Sequence, residues 1–320
     1  MDLSMKIHAA IFVSVAFAQD AEVGSGACAG CHAEIFEKYR QTGMARSAGP
    51  VGAPGFREGF AEAAFSDPGS GAHYRVEPDY RLSFARMGAE GQRMLSWFIG
   101  SGRVGRSYLF GQDGFLFQAP VAYYAESQKW DLSPGYQRKR TIELTRGVET
   151  GCLQCHTSRM QTVAGTTNRF SAVPFLEGGV SCERCHGGGR AHVQRVGAKV
   201  RPAAGAIVNP AKLEAARRDS VCAQCHLTGA ARVAKAGQRR YQAGDRLSDS
   251  LAVSCKKTLY ERCGGDRAGG QRLCGVSSAE PADAVSGSPG LYRPFDCAAA
   301  WGDGALAPGA AARRLLEESG

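Results

Sequence analysis

A chain of 320 residues with 43% hydrophobic content has room for one large domain or two ordinary ones, and beyond a globular class its composition decides little. The formal net charge of +9 points to anionic partners or to anionic groups held inside the fold. Past the N-terminal segment, no stretch approaches the about 18 apolar residues of a bilayer span, so a transmembrane segment later in the chain is not expected.

Residues 1–18 have the build of a secretory signal. Lys6 gives the basic start, Ile7 to Phe17 the apolar run, and Ala16-Phe17-Ala18 a small-x-small site whose cleavage would leave Gln19 first. An uncleaved anchor is the alternative. The first cysteine motif follows, Cys28-x-x-Cys31-His32. Ile35, Phe36 and Tyr39 then recur at helical spacing, which predicts a short helix ending near Gly43. Met44 lies just past that stop. Residues 49–71 are rich in Gly, Pro and Ala and are expected to be loop.

Alternating or aromatic-rich runs at 74–84, 94–99, 108–110 and 115–124 predict strands. Between the last two, Gln112-Asp113-Gly114 is a hairpin signal, because Asp-Gly accepts the positive φ of tight turns. Residues 56–136 are therefore expected to form a β-rich insert, with Trp97, Trp130 and the tyrosines as its core and a wall. Three more cysteine motifs come in closer succession: Cys152-x-x-Cys155-His156, Cys182-x-x-Cys185-His186 and Cys222-x-x-Cys225-His226. A helix over 211–223, opened by Asn209-Pro210, would lead into the last one.

Residues 251–320 differ in character. They hold Cys255, Cys263, Cys274 and Cys297 without a paired motif or a histidine, amid Gly, Ala, Ser and Arg. Either this is a disulfide-linked or flexible tail, or a reading-frame error in a GC-rich gene has replaced the natural continuation; the second is slightly favoured. An uninterrupted frame in several independent clones would exclude it.

Two cysteines two residues apart, followed at once by histidine, form the attachment pattern of c-type haem: both thiols bind the porphyrin covalently and the imidazole ligates iron. Cys28, Cys31, Cys152, Cys155, Cys182, Cys185, Cys222 and Cys225 would hold four haems, with His32, His156, His186 and His226 as proximal ligands. A zinc reading of the cysteine pairs is disfavoured, because every pair is followed by histidine and the chain carries an export signal. Roughly eight propionates would absorb much of the basic excess, so nucleic acid is not an expected partner. Spacings this short predict mainly short α-helices and loops wrapped around haems, with porphyrin supplying much of the apolar interior and the β-rich insert lying between the first and second motifs.

The second axial ligand decides between electron transfer and small-molecule chemistry. Of seven histidines, four are in motifs and His8 is in the leader, leaving His73 and His192 for four distal positions. His192 lies six residues after His186 across Gly187-Gly188-Gly189 and would serve a neighbouring haem, unless it is a surface or propionate-bonding group. Met44 would ligate iron or pack on porphyrin; His73, Met87, Met94 and Met160 complete the set.

From about Ala27 to Ser250 the chain resembles exported multihaem cytochromes c related to the tetrahaem electron carriers of ammonia oxidation, of the kind often fused to tetratricopeptide repeats. The resemblance is carried by the four motifs together with Thr42-Gly-Met-Ala-Arg46, Gly100-Ser-Gly-Arg103, Ser133-Pro-Gly-Tyr136, residues 179–193 and Ile207-Val-Asn-Pro210. It implies a multihaem cytochrome c fold over residues 19–250, four covalent haems c, redox partner proteins, a periplasmic or otherwise exported site, and a distal role for His192. Relatives carry His-Gly-Pro-Gly after the motif at Cys182, where this chain has Gly188, and a further haem motif downstream that is missing here. No tetratricopeptide pattern is visible. A tetrahaem electron relay is the expected function. The rivals are a multihaem oxidoreductase acting on a small nitrogen or oxygen species at an open haem position, and a haem-based sensor or scaffold using the β-rich insert.

Overall fold

The computed structural model describes residues 22–255 apart from 57, 138, 202–204, 227–229, 236 and 238–239. The expected leader at 1–18 and the tail beyond 255, with Cys263, Cys274 and Cys297, lie outside the described residues. Two short helices come first, α1 (Gly26–Ala29) and α2 (Ala33–Tyr39), the second where the apolar spacing after His32 predicts one.

Nine strands follow: β1 (Ala48–Pro50), β2 (Ala64–Asp67), β3 (Ala72–Val76), β4 (Arg81–Arg86), β5 (Ala89–Met94), β6 (Trp97–Ile99), β7 (Gly105–Gln112), β8 (Phe115–Tyr124) and β9 (Lys129–Leu132). β2 to β5 make an antiparallel four-stranded meander; a five-stranded sheet has the order β1-β6-β7-β8-β9. Alternation dictates their facing: Ala72, Tyr74 and Val76 are buried on β3 while His73 and Arg75 are exposed. Asp113 and Gly114 take φ of 54° and 79° between β7 and β8, as the Asp-Gly signal requires. β1 and β2 fall within the stretch expected as loop, a difference made by their pairing to β6 and β3.

Both faces of the β7–β8 hairpin are covered. Tyr108, Phe110, Val121 and Tyr123 join one core with Tyr74, Leu82, Phe98 and Trp130. Within it Glu58 and Arg106 are buried as a pair 3.2 Å apart, with side chains 1% and 2% exposed. Glu58 also accepts hydrogen bonds from Tyr108 and Tyr80, both at 2.7 Å, and the Arg106 guanidinium lies between the rings of Phe98 and Phe56. Leu109 and Leu116, on the other face, form a second core with Ala48, Val148, Leu153, Phe170 and Phe175. Leu153 belongs to the second cysteine motif, so the sheet is the platform on which that motif sits.

After the sheet come α3 (Thr150–Gln154), β10 (Thr157–Thr162), β11 (Phe170–Gly178), α4 (Glu183–His186), α5 (Arg190–Gly197), α6 (Ala215–Ala223), β12 (Ala230–Ala234), α7 (Leu247–Ser250) and β13 (Leu251–Cys255). The expected helix over 211–223 is divided: a 3₁₀ turn at Pro210–Lys212, capped by the Asn209 side chain, precedes α6. β12 pairs with β13, so the first residues of the expected tail are joined to the segment after the fourth motif.

The expectation of a fold made mainly of short helices and loops around haems is overturned. Strands dominate the described residues, and they are not confined to the insert: β10 and β11 form an antiparallel hairpin between the second and third motifs. The physical reason is that Phe170 and Phe175 bury against the five-stranded sheet, so protein side chains rather than porphyrin fill the interior there. Helices are present at each motif, but the longest among the described residues has nine residues.

Candidate haem-attachment cluster

Three of the four motifs share one backbone geometry. In the first, third and fourth, the histidine N–H donates to the carbonyl of the first cysteine, at 2.9, 3.0 and 2.9 Å. A single helical turn thereby places the two sulfurs, three residues apart, on one face, with the imidazole next to them. The second motif is tighter, His156 N–H bonding to Leu153 O at 3.0 Å. No disulfide joins any of the eight motif cysteines.

The motifs do not stand apart. Cys28 hydrogen-bonds Cys182, joining first to third, and Cys225 hydrogen-bonds Cys155, joining second to fourth. The second pair is reciprocal: the Cys155 sulfur lies 3.8 Å from Gln224 O and the Cys225 sulfur 4.0 Å from Gln154 O. Gln154 and Gln224 occupy the same place in their motifs, so the two turns pack as near-equivalents.

The residues between the cysteines, x-x in the pattern, do the docking. Leu153 is fully buried and anchors the second motif in the core under the sheet. Ala223 of the fourth motif is buried with Leu247. Glu183 of the third is 5% exposed, and its carboxylate accepts N–H bonds from Val23 (2.9 and 3.1 Å), Gly24 (2.8 Å) and Gly189 (2.7 Å). Arg184 donates to Gln154 O at 2.9 Å, while Gln224 Nε2 donates to Arg184 O at 2.9 Å. Ser25 and Glu177 complete the first-to-third contact: Cys182 N–H donates to Ser25 Oγ at 3.0 Å, and Ser25 N–H to Glu177 Oε2 at 3.1 Å. Pattern reading singled out none of these groups; the acidic and basic x-x residues of the third motif were the visible signal.

Entry to the third motif depends on glycine. Gly179 has φ of +84°, and a Cβ there would meet Ala45 O at 2.0 Å. The close approach lets Val180 N–H reach Met44 O at 2.9 Å, while Tyr39 Oη donates to Val180 O at 2.8 Å. Met44 is thus half-buried in a turn beside the third motif. His192 is half-buried on α5, reached through Gly187 at φ +80°. His73 sits on the exposed face of β3, its Nδ1 2.7 Å from Ser66 Oγ, within the four-stranded sheet. Met87 and Met94 are exposed on that same sheet region, and Met160 packs against the second core.

The residues fit covalent haem. His186 Nδ1 lies 2.7 Å from Val208 O; because a carbonyl only accepts, Nδ1 carries the proton and Nε2 keeps the lone pair that iron requires. Burial lowers the His156 pKa, against a hydrogen bond with the Ser47 backbone and with His226 adding to the lowering, which favours the neutral, ligating imidazole. Burial foremost raises the Cys28, Cys185 and Cys222 thiols, which marks these sulfurs as turned into the protein rather than to solvent. Apolar side chains flanking the motifs, Ile35, Leu176, Val193 and Val196, are left at the surface, where a macrocycle would cover them. Among the described residues no group of three or more His, Cys, Asp and Glu is gathered as a direct ion-binding set, and no helix is long and apolar enough to cross a membrane.

Residues 122–187 match the protein family described as Cytochrome c554 and c-prime, a segment that contains the second and third motifs whole. No curated protein matches the chain. A solved structure, that of the outer cell wall cytochrome OcwA, aligns with a TM-score of 0.44 and 15% identity over 73% of this chain and 45% of that one. The chain thus spans less than half the length of that cytochrome.

Proposed function

We propose that this chain is an exported c-type cytochrome that carries four covalently attached haems and relays electrons between redox partner proteins. The observation that carries the reading is the convergence of the four motifs: first on third through Cys28 and Cys182, second on fourth through Cys155 and Cys225. Sites held that close allow electrons to pass between irons by short steps, which separate haem-binding turns on a β-rich scaffold would not.

Each residue then has a task. Two cysteines per motif fix the macrocycle, and His32, His156, His186 and His226 ligate iron from one side. When bound, haem supplies a reversible one-electron couple; the chain sets its orientation, burial and surrounding charge. His192 is the distal ligand of a haem other than its own, with Met44 as a further distal ligand. The segment match to Cytochrome c554 and c-prime supports the cytochrome reading, and the signal-like apolar run within residues 1–18 supports export to the periplasm or beyond.

The decisive experiment is haem counting on protein matured in a host that attaches haem c. Four haems per chain are expected by pyridine haemochrome assay and intact mass, falling to three in Cys222→Ser/Cys225→Ser. A count of zero, with zinc in its place, would defeat the reading.

One observation favours a second reading for part of the molecule. His73 is bonded to Ser66 on an exposed strand, which leaves distal histidines scarce. An open iron could then act on a small nitrogen or oxygen species. Electron paramagnetic resonance separates the two: four low-spin irons indifferent to nitrite and hydroxylamine support the relay, whereas a high-spin iron that shifts with either ligand supports the oxidoreductase.

A further inference from the structure

The two residues between the cysteines of the third motif carry opposite formal charges and reach in opposite directions. Glu183 turns to the first motif, where its carboxylate holds the backbone of Val23 and Gly24. Arg184 turns to the second and fourth, where it donates to Gln154 O and hydrogen-bonds the Cys225 sulfur, and its buried Nε has no protein partner. Beside the first motif Glu177 bonds Ser25, and Glu22 lies with Glu183 and Glu177, opposed by Arg184 and Arg159. Next to Cys222, Arg218 and Asp219 lie 3.6 Å apart and largely cancel.

We propose that Glu183 and Arg184 are positioning charges that separate the reduction potentials of the two haem pairs, lower at the first and third motifs and higher at the second and fourth. The inference rests on the haem-binding reading above. Ferric iron carries one more positive charge than ferrous iron, so a carboxylate at one site stabilises the oxidised form and a guanidinium at the other stabilises the reduced form. Within the molecule the favoured transfer is then a single electron from a ferrous iron of the first pair to a ferric iron of the second. One iron is oxidised, the other reduced, and no further reactant enters.

The test is an optical redox titration of the intact holoprotein, with the components assigned by a Cys28→Ser/Cys31→Ser variant that lacks the first haem. Glu183→Gln is expected to raise the lower-potential pair by on the order of tenfold in its reduction constant, or about 59 mV for a one-electron couple. Arg184→Gln is expected to lower the higher pair by a similar factor, and each variant leaves the other pair in place. Since Glu183→Gln also weakens backbone bonds, Glu177→Gln, which loses one such bond, provides the second reading of the same charge and must raise the same pair. The proposal is overturned if Arg184→Gln and the glutamate variants move all components together, or if Arg184→Gln and Glu177→Gln move none. A wild-type protein without four haems would instead defeat the function it rests on.

Discussion

At the residue scale, Leu153 and Glu58 show how differently buried side chains support the same scaffold. Leu153, inside a cysteine motif, is fully enclosed by the second core, and Leu153→Ala is expected to cost about 2–5 kcal/mol. Denaturant unfolding measures the loss, and an effect under about 1 kcal/mol would mean that the motif is not anchored there. Glu58 is a buried charge compensated by Arg106 and two phenols. Glu58→Ala leaves Arg106 unpaired and is expected to cost about 3–5 kcal/mol. Asp67, in the turn from β2 to β3, has a pH signature. Burial alone would raise its pKa, but hydrogen bonds from the Ser70 hydroxyl and the Gly69 and Ser70 N–H groups outweigh that and hold it below the usual carboxylate range. A depressed native pKa stabilises the fold above the unfolded value and ceases to do so as pH falls through the native value. Asp67→Asn is therefore expected to lower Tm at neutral pH and to flatten the acid limb of the Tm profile, a comparison made by calorimetry between pH 2 and 7.

At the element scale, the glycine crossing into the third motif is the tightest joint. A Cβ at Gly179 would overlap Ala45 O, a backbone atom that no rotamer change can move. Gly179→Ala is expected to cost more than the about 1–2 kcal/mol of the left-handed backbone alone, and to lose haem at the third motif before the second. Haem-staining of proteolytic fragments would show the order. This scale also shows what could be read ahead of the structure. Asp113-Gly114 announced its hairpin because the turn chemistry is local, and Ile35, Phe36 and Tyr39 announced α2 for the same reason. β10 and β11 were not visible, since Thr157 to Thr162 and Phe170 to Gly178 become strands by pairing with each other and burying Phe170 and Phe175 on a sheet formed elsewhere. The site divides in the same way. Cysteines and histidines declare their chemistry by spacing, whereas Glu183 and Ser25 act on partners more than 150 residues away.

For the whole molecule, the pairing of motifs makes a prediction about coupling. If the chain carries the four haems proposed above, Cys28→Ser/Cys31→Ser, which removes the first, is expected to alter the spectrum of the haem at the third motif and to leave those at the second and fourth nearly unchanged. Resonance-resolved NMR of the ferric protein measures this directly. Equal perturbation of all three remaining haems would contradict the pairwise arrangement.

The Glu183 clasp also imposes a sequence of events on folding. Val23 and Glu183 are 160 residues apart along the chain, and closing so long a loop in an unstructured polymer is slow. The β-sheet layers between them remove most of that distance, because β1 and Gly178 meet once the five-stranded sheet exists: a Cβ on Gly178 would lie 2.5 Å from Ala48 O. The insert is thus expected to act as a folding template as well as a spacer. Pulse-labelled hydrogen exchange should find β7 and β8 protected while the Val23 and Gly24 amides are still open, so that the N-terminal motif, first to be synthesised, is the last to be locked in place.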